Sequence, residues 1–274
     1  MKRRNRKFPK IALIVLGLII CASLFADWIA PYPPDQMDPG AVNLPPGREH
    51  LLGTDNLGRD LLTMILYGGR YSIAIGLCSA LISTAVAVVY GAVSGLAPRW
   101  ADDFLMRFSE LMLSIPSILL ILFLQAMWGK ATWVSLSVII GLTSWPNISK
   151  IVRSEVRQIG ESDYILAART MEGGFWYILR RHLLPNFVSS VMFMVVTNIG
   201  QAMITESTLS FLGLGLPLTT VSWGSLLSMS QEVLLTGCWW LIIIPGVVLV
   251  TTLVCVTEIG EYIRKKNNRI YSNL

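Results

Sequence analysis

Residues 239–263 read WWLIIIPGVVLVTTLVCVTEIGEYI, and positions 239–257 of that run carry no charge. A helix needs about 20 mostly apolar residues to cross roughly 30 Å of bilayer hydrocarbon. The run meets that length, with Glu258 and Glu261 confined to its last turns, so it reads as a transmembrane helix. Five further runs of similar length are Ile11 to Trp28, Tyr71 to Leu96, Phe104 to Trp128, Trp133 to Ile151 and Phe187 to Leu209. The third is impure, with Arg107 and Glu110 near its start and Pro116 inside it, and the fifth holds Asn198, Gln201 and Glu206. The expected fold is an all-α integral membrane protein of about six transmembrane helices. Five or seven crossings stay open on hydropathy alone.

Composition points the same way. Of 274 residues, 53% are hydrophobic and only 14% charged, against about 25% charged in an ordinary soluble domain. Mean hydropathy is +0.59. A chain with so little polar surface requires lipid for part of its solvent, which excludes a secreted mini-protein, a disordered tail and a cytosolic enzyme. Cys21, Cys78, Cys238 and Cys255 all lie in apolar runs without metal-type spacing, so they read as small buried hydrophobes and not as disulfide partners.

The charges set the orientation. Lys and Arg concentrate on cytoplasmic flanks. With a cytoplasmic N-terminus, 18 of the 22 basic residues fall inside: the tail before residue 11, Arg99 and Arg107, the six between Lys150 and Arg181, and Arg264, Lys265, Lys266 and Arg269. Arg48, Arg59, Arg70 and Lys130 fall outside. Both termini are therefore expected in the cytoplasm, which favours an even number of crossings. The basic tail with the first apolar run reads as a retained signal anchor, because the run is long for a signal peptide and no clear A-x-A site follows it. The net charge of +5 is explained by topology and needs no nucleic acid.

The resulting division is a basic tail and first span (1–30), an external Pro/Gly-rich segment (31–70), a five-helix core (71–263) with a cytoplasmic loop at 152–186, and a basic tail (264–274). The external segment ends in Gly53-Thr54-Asp55-Asn56-Leu57-Gly58-Arg59-Asp60. By itself it reads as a rigid connector held by prolines and Asx turns. The cytoplasmic loop runs Asp163-Tyr164-Ile165-Leu166-Ala167-Ala168, then Gly173-Gly174, then Trp176 to Pro185. Helical spacing groups Trp176, Leu179 and Leu183 on one face. Such an element suits either a short helix pressed on a neighbour or an amphipathic helix on anionic headgroups.

These residues carry a resemblance. The 163–186 stretch resembles the E-A-A-x-x-x-G…L-P loop of ABC importer permeases. Gly53 to Asp60 is similar to the G-T-D-x-L-G-R-D signature of the dipeptide, oligopeptide and nickel branch. Glu206-Ser207-Thr208-Leu209-Ser210-Phe211-Leu212-Gly213-Leu214-Gly215 resembles its E-x-x-L-S-F-L-G-L-G, with Ser222-Trp223-Gly224 and Pro245-Gly246 also in place. Leu166 stands where the family has the Glu of E-A-A, Glu172 where it has Gly, and Glu258 to Arg264 departs from the family's end to the sixth helix. The resemblance implies a type I ABC importer permease fold and the C-type subunit of a permease pair in a bacterial inner membrane. Its partners would be a second permease, two cytoplasmic ATPases and an extracytoplasmic binding protein.

No G-x-x-x-x-G-K-[ST] phosphate loop is present, so the energy is expected to come from a partner. The resemblance makes Tyr164, Ala167, Ala168, Gly173, Trp176, Leu179, Leu184 and Pro185 the ATPase-coupling residues. Glu206, an ionisable residue in a span, is with Gln201 and Ser210 a candidate for the pathway or its gate. The competing reading is a hydrogen-bonded packing residue. Arg107 and Glu110, three apart, are expected to pair, and Asp27 to face headgroups. Pro116, Pro146 and Pro245 are expected to kink spans, and Gly91-x-x-x-Gly95 permits close helix approach. Trp28, Trp100, Trp128, Trp133, Trp223 and Trp239 read as interfacial belts. With only His50 and His182, and no H-E-x-x-H or G-x-S-x-G, a membrane enzyme is disfavoured, and no catalytic, metal or cofactor residue is assigned. A stand-alone channel or secondary transporter would want a charge ladder or inverted repeat. Peptide is the first substrate choice and nickel or a metal chelate the alternative.

Overall fold

A computed structural model describes residues 9–160, 177, 181, 184–217, 219–233 and 237–271. The helices are α1 (Lys10–Leu24), α2 (Ala26–Ile29), α3 (Leu61–Leu96), α4 (Arg99–Ser114), α5 (Ser117–Trp128), α6 (Trp133–Gly160), α7 (Leu184–Phe211), α8 (Trp223–Met229) and α9 (Trp240–Tyr271). Among the described residues there is no strand, only an isolated bridge between Thr54 and Asp60.

Two described helices, Leu61–Leu96 and Trp240–Arg264, are long and apolar enough by themselves to cross a membrane, and a third crossing follows if α4 and α5 form one broken span. The expected single helix over 104–128 is thus corrected: α4 and α5 meet at 88°. Pro116, at the start of α5, cannot donate the hydrogen bond that would continue α4. Pro146 and Pro245 differ, lying inside the unbroken α6 and α9. At 28 residues each, α6 and α7 are also long enough to span.

The centre of the molecule is α3. It begins ten residues before the expected span, at Leu61, and its 36 residues make it roughly 54 Å long. Its buried residues Ser72, Gly76, Ser79, Ser83, Ala87, Gly91 and Ser94 recur every three or four positions, a seam of small side chains that lets other backbones approach closely. A Cβ on Gly91 would lie 2.6 Å from the Ser149 carbonyl, and one on Gly76 2.7 Å from Met203 Cγ. The seam is therefore packed against α6 and α7 of the same chain. Hydroxyls supply further ties: Ser79 donates to the Ser137 carbonyl at 3.1 Å, and Asn198 donates to Ser83.

Three apolar cores surround α3. Near the loop end, Ala87 and Ala92 meet Trp145, Ile148, Val152 and Val156 of α6. In the middle, Ile75 meets Ile121, Leu136, Ile139, Ile140 and Ala202. At the end bearing residues 31–60, Leu61, Met64 and Ile65 pack with Met203, Trp223, Leu226, Trp240 and Leu241. The outward faces stay apolar, with Ile11, Leu18, Leu81, Phe123 and Val250 all exposed, as lipid solvent allows. Cys21 is exposed on α1 and Cys78 half-buried, which corrects their reading as buried, and none of the four cysteines is in a disulfide.

Candidate functional site

Residues 53–60 form a locked corner at the foot of α3. The Asp55 carboxylate accepts from the backbone N–H of Leu57 and Arg59, each at 2.8 Å, and from Arg59 Nε at 2.7 Å. Asp60 caps α3, accepting from Thr63 N at 2.8 Å and Thr63 Oγ1 at 2.9 Å, and lies 3.0 Å from His50 Nδ1. Thr54 donates to the Ala41 carbonyl and accepts from Leu44 N at 2.8 Å. Gly53 and Gly58 have φ of +83° and +73°, a region costly for any side chain. A Cβ on Gly58 would also collide with the Asp38 carbonyl. The corner reaches distant elements: Trp240 Nε1 donates to the Thr54 carbonyl at 3.2 Å, and Arg59 Nη2 lies 3.3 Å from Met229 Sδ. Asp55, Arg59 and Asp60 are all buried, a feature a mere connector would not need.

On α7, Glu206 is wholly buried. Ser210 and Ser222 donate to its Oε1 at 2.9 and 2.7 Å, and Ser207 to Oε2 at 3.3 Å. Ser222 in turn caps α8 in a reciprocal capping box with Ser225, so the carboxylate joins the last turns of α7 to the start of α8. Gly224 makes room for this, since a Cβ there would lie 2.5 Å from Ser207 Cα. Of the three pathway candidates, the fold brings Glu206 and Ser210 together and leaves Gln201 on the exposed face of α7. Trp223, expected in an interfacial belt, is instead fully buried. Its indole N–H donates to the Ile65 carbonyl at 2.9 Å, and its backbone N–H to Ser72 Oγ at 3.0 Å. The other five belt tryptophans are between 38% and 83% exposed.

Asp27 does more than face headgroups. Arg70 grips it at 2.8 Å and Tyr67 at 2.7 Å. The same guanidinium donates to the carbonyls of Ser23 and Leu24 at the end of α1. No sequence pattern announces this tie, because its partners lie at least forty positions apart.

The opposite end of the bundle holds a cluster that sequence reasoning missed. Asp102, at the start of α4 and before the third apolar run, is 1% exposed. Arg153 donates to both its oxygens at 2.5 Å, Arg157 pairs with it at 2.7 Å, and Ser94 donates at 2.5 Å. The Arg153 hydrogen bonds hold this carboxyl down to about 2, against burial, which acts upward. Arg107 and Glu110 pair at 3.2 Å as expected, on the exposed face of α4. In the sequence, Arg153 and Arg157 counted only toward the inside charge, and a buried Asp fifty residues away was the missing signal.

Of the coupling residues, Tyr164, Ala167, Ala168, Gly173, Trp176 and Leu179 lie outside the described residues, as do Leu166 and Glu172. Leu184 and Pro185 open α7, where the missing N–H of proline costs no hydrogen bond.

The polar groups of this chain tie helices to one another, in a bundle whose outer surface is apolar. Fold and site together define a membrane-embedded helical bundle. The chain belongs to the family of binding-protein-dependent transport system inner membrane components, which it matches over residues 87–267, and its fold is that of a type I ABC importer permease. Residues 4–46 match the N-terminal transmembrane domain of oligopeptide transport permease C. The dipeptide transport system permease protein DppC of Bacillus subtilis is 31% identical over 261 residues, 93% of this chain and 81% of the relative. A Brucella abortus biovar 1 protein named as a peptide transport system permease is 35% identical over 266 residues, 95% and 87% of the two chains. A Brucella suis biovar 1 protein named as a peptide permease is 32% identical over 271 residues, 96% and 89% of the two.

Proposed function

We propose that this chain is the C-type permease subunit of a bacterial peptide importer. It forms half of a pathway through the inner membrane, with both termini in the cytoplasm. A second permease subunit completes the pathway, an extracytoplasmic binding protein delivers the peptide, and two ATPase subunits supply the energy. The observation that carries this reading is similarity along nearly the whole chain to proteins named for dipeptide and peptide transport. The nickel alternative gains no support from those names.

The described geometry is compatible with a division of labour between the two ends. The end bearing residues 31–60 is one hydrogen-bonded block, in which the 53–60 corner, Trp223, Glu206 and Trp240 are mutually fixed; a binding protein would meet a rigid surface there. At the other end α6 and α7 frame residues 161–183. There Tyr164, Ala167, Ala168, Gly173, Trp176, Leu179, Leu184 and Pro185 would receive the ATPase. Glu206 and Ser210 act in this scheme as a fixed support behind the pathway, and the exposed face of α7 with Gln201 lines it.

Deletion of this chain in cells lacking parallel peptide systems should reduce uptake of a radiolabelled dipeptide to background, with uptake restored by the gene in trans. Unchanged dipeptide uptake, or loss of radioactive nickel accumulation in its place, would overturn the peptide assignment.

A further inference from the structure

Asp102 ties three elements at one point. It stands in the first turn of α4, Ser94 in the last turn of α3, and Arg153 and Arg157 in the last two turns of α6. Arg157 is only three residues from Gly160, where α6 ends, directly before residues 161–183. A buried carboxylate holding two guanidinium groups is hard to pull apart, because separation leaves a charge in a place water does not reach. Beyond this cluster α4 rests on the bundle through apolar contacts, with Phe108 stacked on Trp145 of α6 at 6.5 Å between ring centroids and Met112 against the core around Ala87 and Trp145. A groove of about 500 Å³ opens between α4 and α6, lined by Asp103, Met106, Arg107, Glu110, Lys150 and Arg153. The ionic cluster is thus the charged fastening between α4 and the last turns of α6, with the apolar contacts lying further along both helices.

The far side of α4 is the opposite case. At the 88° elbow, Ser114, Ile115, Pro116 and Ser117 are all exposed, and proline interrupts the backbone hydrogen bonding. Past the elbow, α5 is fastened to α6 again, with Ile121 in the core formed by Leu136, Ile139 and Ile140, and Ser135 Oγ donating to Gln125 Oε1 at 3.4 Å. The α4–α5 pair is therefore packed on either side of the elbow, and the elbow itself is exposed.

We infer that Asp102 is a positioning residue that joins α4 to the last turns of α6 as one rigid body, so that displacement of the 161–183 loop is delivered to the Pro116 elbow. The inference rests on the coupling role given above to that loop. A rigid joint next to the driven segment and a soft joint beyond it concentrate motion at the soft one. With the cluster broken, the last turns of α6 would move without α4 and the elbow would receive nothing, although ATP would still be hydrolysed.

The test uses the complete importer in nanodiscs, with Cys21, Cys78, Cys238 and Cys255 replaced by Ala. Spin labels at Asp103→Cys and Ser154→Cys report across the cluster, and labels at Asp103→Cys and Leu119→Cys report across the elbow. Distances are measured by pulsed electron resonance without nucleotide and with ATP and vanadate. With Asp102 intact, nucleotide should leave the 103–154 distance unchanged and shift the 103–119 distance. In Asp102→Asn the 103–154 distance should become nucleotide-responsive and the elbow distance should stop responding, with hydrolysis retained and transport lost. A 103–154 distance that shifts in the intact protein, or an Asn variant whose two distances behave as the parent's, overturns the inference. If Asp102→Asn fails to assemble, Arg157→Gln, which removes one guanidinium and leaves the carboxylate paired with Arg153, is read with the same labels. A shift toward nucleotide response at 103–154 supports the inference, and none overturns it. Failure of the native chain to assemble with ATPase subunits at all would instead count against the proposed function.

Discussion

Glu206 separates two meanings of a buried charge in a membrane helix. Such groups are expensive and by default suggest a pathway, yet this one spends its oxygens on three serine hydroxyls of its own chain. Its substitutions should tell the two apart. Gln keeps the carbonyl oxygen that Ser210 and Ser222 address, and its amide can donate to Ser207. Ala leaves the hydroxyls without their acceptor, at about 1–3 kcal/mol for the lost partner. A structural tie predicts that Glu206→Gln transports and melts close to the native importer, while Glu206→Ala melts lower and transports less. Uptake assays and thermal unfolding in detergent check this. Loss of uptake in Gln with unchanged melting would assign the charge itself to transport. The residue was legible as a candidate because it interrupts an apolar run. Its partner Ser222, sixteen residues on and beyond the turn that follows α7, was not, because only the fold returns α8 to α7.

At the level of helices, the seam on α3 decides how the bundle closes. Only Gly91 and Gly95 were singled out from the sequence, although the spacing of Ser72, Gly76, Ser79, Ser83, Ala87, Gly91 and Ser94 was there to read. Serine reads as polar and alanine as apolar, so a hydropathy scan splits a set that size unites. Gly76 is its tightest point toward α7: a Cβ there would meet Met203 Cγ at 2.7 Å and the Ile199 carbonyl at 3.2 Å. Gly76→Leu should therefore force α3 and α7 apart and destabilise by about 1–3 kcal/mol, as overpacking does. Leu77→Ala, on the exposed face, should be nearly silent. Melting of the two variants in detergent measures the contrast, and equal effects would mean the seam is not under pressure. The elbow was half legible: Pro116 marked an irregularity, but a proline kink and an 88° break look the same in sequence.

For the whole molecule, apolar run lengths placed the helices, and charge counts proposed which end faces the cytoplasm. Neither could see Asp102 with Arg153 and Arg157, since a charge count treats every basic residue as a topological vote and none as a partner. The orientation itself is open to direct measurement. With the four native cysteines replaced by Ala, Leu51→Cys places a thiol at an exposed position beside the 53–60 corner, and Trp176→Cys places one in the 161–183 loop. A membrane-impermeant maleimide added to intact cells should label position 51 and leave position 176 untouched. On inverted vesicles the pattern should reverse. The prediction follows from 18 of 22 basic residues falling on one side, a bias that insertion follows. It reaches further than topology, because an ATPase can only reach the loop from the cytoplasm. Labelling of position 176 from outside would remove the loop from any ATPase, and with it both the coupling role and the purpose inferred for Asp102.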